Sequence, residues 1–306
     1  MAKIGVHISI AGGIVLAPRR AHDSGCETFQ CFTRSPQGGP APELVQSTIT
    51  NFKSEMADFG METFYIHTPY YINFASPDRR IRHGSIKVVR EELERGSMLG
   101  ARFVMTHLGS YAGQTLEEGI AKVADAATQI LDGYAGSTEL LLEIAAGTGN
   151  IIGDTFEEVG EILRRLGLKN KGLTRPNFWT SAKGAFAEGA SKNLGGFGGI
   201  CFDTCHAFAS GYDFRTTERA RNVLKEFDKK IGLEYLKLSH INDSKVDLGG
   251  RRDRHEHIGD GFIGVDGLSS LLKTPEFQKI DWLLETDDVK REQDIKILKQ
   301  IHEQFN

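Results

Sequence analysis

Eight times along this chain a short apolar run of strand length is followed by a segment of helix length, and most of the runs end on a histidine or a carboxylate. The strand candidates fall at 4–8, 28–32, 64–67, 103–107, 140–143, 200–203, 235–240 and 282–285. The helical segments between and after them fall at 12–24, 43–60, 77–100, 116–133, 156–166, 216–231, 265–273 and 290–305. Such alternation favours a parallel sheet with crossover helices, and eight units in 306 residues predict a closed (β/α)8 TIM barrel forming a single domain over 1–306. In a barrel of this kind the active site lies at the C-terminal ends of the strands. That is where this chain places His67 (FYIHTP), His107 (RFVMTHLGS), Glu143 (LLLEIAAG), Asp203 and His206 (GICFDTCHAFASGYD), His240 (LKLSHIND) and Glu285 (WLLETDD). A doubly wound open sheet would put its site at one switch point and has no reason to spread such residues over six strands.

Composition narrows the setting. No apolar run approaches the roughly 20 residues of a membrane span, and the first ten residues lack the charged and apolar regions of a signal peptide, so a cytoplasmic protein without a membrane partner is expected. The four cysteines, Cys26, Cys31, Cys201 and Cys205, form no CxxC pair and are expected to be reduced and packed in or near strands. A net charge of −4 is not that of a protein held on nucleic acid by a global basic field. Divalent ions in the barrel mouth would reverse the local sign, so a phosphate substrate remains open. Residues 169–199, rich in Gly, Ser, Lys and aromatics, break the rhythm and read as an inserted loop.

The residue types at the strand exits suit a metal site. Zinc takes imidazole and carboxylate ligands, and neighbouring ions can share a carboxylate. A further loop, GGRRDRHEHIGDGFIG, adds Asp253 and His255 in the spacing D-x-H, with His257 two residues on. Nine donor residues result without His257, too many for one ion and about right for three. Several metals in one mouth suit hydrolysis of a phosphate ester, since two ions can hold a hydroxide between them. A single polar His after a strand is more often hydrogen-bonded than ligating, but six such exits in one chain are not independent accidents. No Ser–His–Asp arrangement competes, and the glycine-rich stretches at 12–13 and 195–199 lack the Walker signature and read as turns.

The motifs FDTCHAFASGYD, SHINDSK, DRHEHIGDGFIG, GVHISIAGG and LLLE followed by AAGTG, taken in order, resemble the endonuclease IV family of apurinic/apyrimidinic endonucleases over nearly the whole chain. The resemblance implies a zinc-dependent barrel with three ions. It would cut duplex DNA on the 5′ side of an abasic site and leave a 3′-hydroxyl and a 5′-deoxyribose phosphate. By motif, His67, His107 and Glu143 would hold one ion. Glu143 would bridge to a second, held also by Asp203, His240 and Glu285, and His206, Asp253 and His255 would hold the third. Manganese or iron would be accepted by the same ligands. Glu143 and Glu285 are the catalytic carboxylates in this reading, and His7 stands behind the ligands rather than among them. Tyr70, with Tyr71 beside it, matches the tyrosine that stacks in the DNA groove; Arg34 and Arg254 are the further DNA contacts expected. His257 would be a loop residue, and His22, His83 and His302 would lie on helix surfaces.

Departures from the family pattern fall at the DNA side. The loop after the second strand reads FTRSPQGGPAP, with Arg34 its only basic residue. Ile144 and Ala145 replace the polar residues expected after the bridging glutamate, and the 169–199 insertion, with Lys169, Lys171, Arg175 and Lys183, has no counterpart in compact members. DNA affinity would then be weaker or would depend on the insertion. A monomer is expected, because a bent duplex needs an open mouth. The competing readings are a xylose isomerase-like sugar isomerase or epimerase with one or two ions, and a non-catalytic barrel that binds damaged DNA.

Overall fold

A computed structural model describes residues 2–168 and 195–304. Eight parallel strands close on themselves: β1 (Ile4–Ile8), β2 (Thr28–Cys31), β3 (Tyr65–His67), β4 (Phe103–Thr106), β5 (Glu139–Glu143), β6 (Phe197–Asp203), β7 (Leu236–His240) and β10 (Asp281–Leu284), in the order β1-β10-β7-β6-β5-β4-β3-β2. A separate two-stranded pair, β8 (Asp243–Ser244) with β9 (His255–Glu256), stands at the barrel mouth. Helices α1 (Ala17–Asp23), α2 (Gln46–Asp58), α3 (Arg79–Leu99), α4 (Leu116–Leu131), α5 (Phe156–Arg165), α7 (Thr217–Lys230), α8 (Gly264–Leu272) and α9 (Arg291–Glu303) form the outer layer. Several starts are fixed by side chains: Asp78, Thr155 and Thr216 accept backbone N–H groups of the first turn, and Thr115 with Glu118 makes a reciprocal capping box. Among the described residues no helix is long and apolar enough to cross a membrane.

The strand period of two explains how a folded barrel lifts its polar residues into one plane. Side chains at i and i+2 point to the same face of a strand. Tyr65, Met105, Leu141, Cys201, Leu238 and Leu283 all face inward and pack, with Phe103, into one buried cluster inside the barrel. Each of these six stands two residues before a strand-exit candidate: His67, His107, Glu143, Asp203, His240 and Glu285. The apolar plug therefore forms the floor, and the candidates form the next layer above it.

Some expectations shift. Strand β6 begins at Phe197, so the last residues of the expected insertion belong to the barrel. A Cβ on Gly199, at φ 149°, would lie 2.3 Å from the Tyr235 carbonyl oxygen, and the β6–β7 register shifts just beyond it, at Ile200/Cys201. Only glycine admits this close approach. Residues 169–194 of the expected insertion, which carry Lys169, Lys171, Arg175 and Lys183, lie outside the described residues. After Asp203 the chain does not simply turn but makes a short helix, α6 (Thr204–Ala209), because the Asp203 carboxylate accepts the His206 backbone N–H at 2.7 Å as its N-cap. All four cysteines are buried and free, as expected. His22 and His83 are exposed, whereas His302 is half-buried with its ring edge-on to Trp282, centroids 5.4 Å apart.

The loop after β2 is held by buried charge. The Arg34 guanidinium, expected to face DNA, turns inward and is only 3% exposed. Its Nε donates to Glu92 Oε1 at 2.5 Å and its Nη2 to Glu91 Oε2 at 2.9 Å. Thr33 Oγ1 donates to the other Glu92 oxygen at 2.6 Å, while Arg95 donates to the Thr33 and Pro42 carbonyls at 2.9 and 2.8 Å. Arg34 is thus spent on fastening its loop to α3, since a buried guanidinium must be paired. Removing one member of a buried pair strands the other, which costs about 3–5 kcal/mol. Glu92→Ala is expected to lose that much unfolding free energy in a urea titration; a loss under 1 kcal/mol would show that the cluster carries little of the loop's stability.

Candidate metal centre

Three groups of donor atoms meet at the mouth, each group lying within 4.8 Å of itself: His67, His107 and Glu143; Glu143, Asp203, His240 and Glu285; and Asp203, His206 and His255. Two buried carboxylates, Glu143 and Asp203, are shared between groups. Glu143 Oε2 lies 3.2 Å from His67 Nε2 and 3.6 Å from His107 Nδ1, while its Oε1 lies 2.9 Å from His240 Nδ1 and 3.5 Å from His206 Nδ1. Glu285 Oε2 stands 3.3 Å from His240 Nδ1. Asp253, exposed on its loop, brings Oδ1 to 3.3 Å from both His206 Nε2 and His255 Nε2, which are themselves 3.4 Å apart. All nine expected donors are therefore in one cluster, and Asp203 touches the third set as well as the central one.

The charges in this cluster reinforce each other. Burial alone would raise the Glu143 pKa, but His107 and His240 outweigh it and hold the carboxyl well below its usual range. Burial would likewise neutralise His240, yet the Cys201, Glu285 and Glu143 side chains drive its pKa well above normal. The Asp253 carboxyl is held below its usual range by its contact with His206. Imidazoles and carboxylates converging in threes and fours match the nitrogen and oxygen donors that zinc, manganese and iron accept. The residues present fit a polynuclear divalent-metal site.

The other expected site residues sort by position. His7 is half-buried beside the cluster and lines the mouth cavity, its Nδ1 3.0 Å from Gln30 Nε2, and desolvation pushes its pKa down to about 3. Tyr70 is 67% exposed at the rim, with its ring edge-on to Phe32 at 5.3 Å between centroids, and Tyr71 is exposed beside it. Arg254 is exposed and lines the mouth cavity of about 760 Å³ together with Tyr70, His107, His206 and Arg291. His257 ties its loop to α9, with Nδ1 2.7 Å from Asp294 Oδ2. Ile144 contributes its backbone: its carbonyl lies 2.9 Å from His206 Nδ1.

Two carboxamides escaped the reading of motifs. Gln30, fully buried on β2, lies between His240, Glu285 and His7. Asn242 donates Nδ2 to Asp203 Oδ2 at 2.8 Å and accepts the Glu285 backbone N–H at 2.9 Å. The only signal for Gln30 was an amide inside the strand TFQC; for Asn242 it was the asparagine two residues after His240.

The loop bearing Asp253 and His255 is clasped from the side. Arg251, at φ 50°, donates Nη2 to Asp154 Oδ2 at 2.6 Å and Nε to the Gly147 carbonyl at 2.9 Å. Behind Asp154 lies Glu158, which accepts the Gly153 N–H at 2.8 Å and whose pKa is pushed up to about 8 by burial and by the Asp154 carboxylate. A carboxyl raised on folding stabilises the protein while protonated, and that contribution is lost as pH rises from its unfolded value through about 8. Glu158→Gln removes the ionisation. The melting temperature of this variant relative to the parent is expected to climb between pH 6 and pH 9; a difference independent of pH would refute the buried acid.

A closed barrel whose mouth gathers histidines and carboxylates from six strands defines a metal-type (β/α)8 enzyme, and a family model described as a xylose isomerase-like TIM barrel matches residues 18–175 and 191–302. The chain is 38% identical over 290 residues to a protein of Nitrosopumilus maritimus named "Probable endonuclease 4", covering 93% of each. It is 37% identical over 287 residues to one of the same name from Aquifex aeolicus, covering 94% of this chain and 92% of that one. The crystal structure of endonuclease IV from Thermus thermophilus superposes with a TM-score of 0.80 at 26% identity, covering 99% of both chains. A D-tagatose 3-epimerase-like protein shares the fold at TM-score 0.69 and 18% identity, covering 99% of this chain and 98% of that one. The chain belongs to the endonuclease IV family of apurinic/apyrimidinic endonucleases.

Proposed function

We propose that this protein hydrolyses the phosphodiester bond on the 5′ side of an abasic site in duplex DNA, as a monomer, with three zinc ions and with release of a 3′-hydroxyl. The observation that carries the reading is the convergence of three donor groups on shared buried carboxylates. His67, His107 and Glu143 would hold one ion, Glu143, Asp203, His240 and Glu285 the second, and His206, Asp253 and His255 the third. When bound, such ions lower the pKa of a coordinated water toward 7 and neutralise charge developing on phosphate oxygens.

The chain's own groups supply positioning. Glu143 and Glu285 keep their carboxylates ionised toward the mouth, where Glu285 can also orient the attacking water. Exposed Tyr70 offers a ring face for stacking at the lesion, and Arg254 a cation for the phosphate backbone. With Arg34 fastened to Glu92, the expected DNA contacts that stay at the surface are these two residues and Tyr71.

Labelled duplex carrying one abasic site, incubated with zinc-loaded and chelator-stripped protein, tests the reading. A zinc-dependent nick 5′ to the lesion, with a 3′-hydroxyl end and three zinc per chain, is expected. Three zinc without a nick would overturn the substrate; about one metal per chain with turnover of a ketose would replace it with a sugar epimerase. Tyr70→Ala is expected to weaken binding to abasic duplex by about 1–3 kcal/mol in a fluorescence titration and to leave zinc content unchanged. Parallel loss of zinc would make Tyr70 a structural residue.

A further inference from the structure

Gln30 is completely buried in the barrel on β2, which lies between β1 and β3 and contributes no donor to the cluster. Its amide is fully committed. Oε1 lies 2.8 Å from His240 Nε2, and Nε2 lies 2.8 Å from Glu285 Oε1 and 3.0 Å from His7 Nδ1. The Glu285 carboxylate sets which way the amide points. An ionised Glu285 oxygen can only accept, so it must face the NH2 group. The carbonyl oxygen can only accept, so His240 must carry its proton on Nε2.

A consequence follows for His240. With Nε2 committed as a donor, Nδ1 is the nitrogen whose proton a metal ion would replace, and it stands 2.9 Å from Glu143 Oε1, 3.3 Å from Glu285 Oε2 and 3.9 Å from Asp203 Oδ2. The second amide hydrogen makes His7 Nδ1 an acceptor and leaves the His7 proton on Nε2. Glu285 is gripped on both oxygens, Oε1 by Gln30 and Oε2 by Asn242 Nδ2 at 3.4 Å.

We infer that Gln30 is the positioning residue of the central metal set: one carboxamide on β2 keeps the proton on His240 Nε2, leaving Nδ1 as the nitrogen that faces the metal set, and aims Glu285 at the same point. This inference rests on the metal-centre reading above and deepens it. Partners of ligating histidines and carboxylates of this kind change metal affinity or activity by about 10–100-fold when removed. Gln30 does not touch substrate in this account; it acts through His240 and Glu285.

The test uses zinc as the probe on the full chain. Gln30→Leu keeps the volume and removes both polar ends. In competition with a chromophoric chelator, the variant is expected to hold two zinc ions as the parent does and release the third about 10–100-fold more readily. kcat on abasic duplex should fall by a similar factor with KM unchanged. Three ions held with parental affinity and an unchanged kcat would overturn the inference, as would uniform weakening of all three. A measurement on the parent protein keeps the idea falsifiable if the variant does not fold. In ¹⁵N-imidazole NMR spectra of the zinc-loaded parent His240 is expected with its proton on Nε2, and finding that proton on Nδ1 would overturn the assignment. If the parent binds three zinc ions but cuts no abasic DNA, the proposed substrate fails while the zinc competition still decides the part played by Gln30.

Discussion

The buried carboxylate of Glu143 is the interaction on which the rest of the mouth depends. A desolvated carboxylate is tolerated only when it is paired. Here four imidazoles, from His67, His107, His206 and His240, approach its two oxygens within 3.6 Å. Those imidazoles come from β3, the end of β4, α6 and β7, so satisfying one charge draws together elements from half of the barrel. The second shared carboxylate, Asp203, extends the arrangement by capping α6 with one oxygen while its other faces His240 and His255.

Such a cluster needs a dry floor and stiff walls. The inward apolar layer of Tyr65, Met105, Leu141, Cys201, Leu238 and Leu283 supplies the floor directly beneath the donors. The walls are loops held by buried or partly buried charge: Arg34 and Arg95 around Glu92, Arg251 on Asp154, and His257 on Asp294. Asp294 also accepts the Ile258 N–H at 2.9 Å and the Thr286 hydroxyl at 2.8 Å, so one carboxylate on α9 fixes two loops at the rim. Sites placed on rigid elements and braced this way hold their geometry more closely than sites on free loops.

The same barrel carries epimerase-like proteins at 18% identity or less, which is why the fold by itself leaves the chemistry open. What separates this chain from that background is local. The D-R-H loop brings Asp253 and His255 over His206, and the β8–β9 pair holds that loop against the segment after β7.

Much of this was legible in the residues themselves. Alternation of strand-length and helix-length segments determined the barrel, because each strand must be covered by a helix to bury both faces. Residue type at the strand exits determined the candidate donors, since a His or carboxylate two positions beyond an inward apolar residue can only rise into the mouth. Three things were decided by tertiary structure alone. Arg34 turned from a DNA contact into a fastening because Glu92, 58 residues away on α3, lies beside it. Asp203 came to serve two donor sets because α6 and the D-R-H loop close over it. Gln30 became the hinge between His240 and Glu285 because barrel closure joins strands 210 and 255 residues apart in the chain. Local pattern reports which side of an element a residue occupies; which distant charge it meets depends on register and closure, and those are properties of the whole fold.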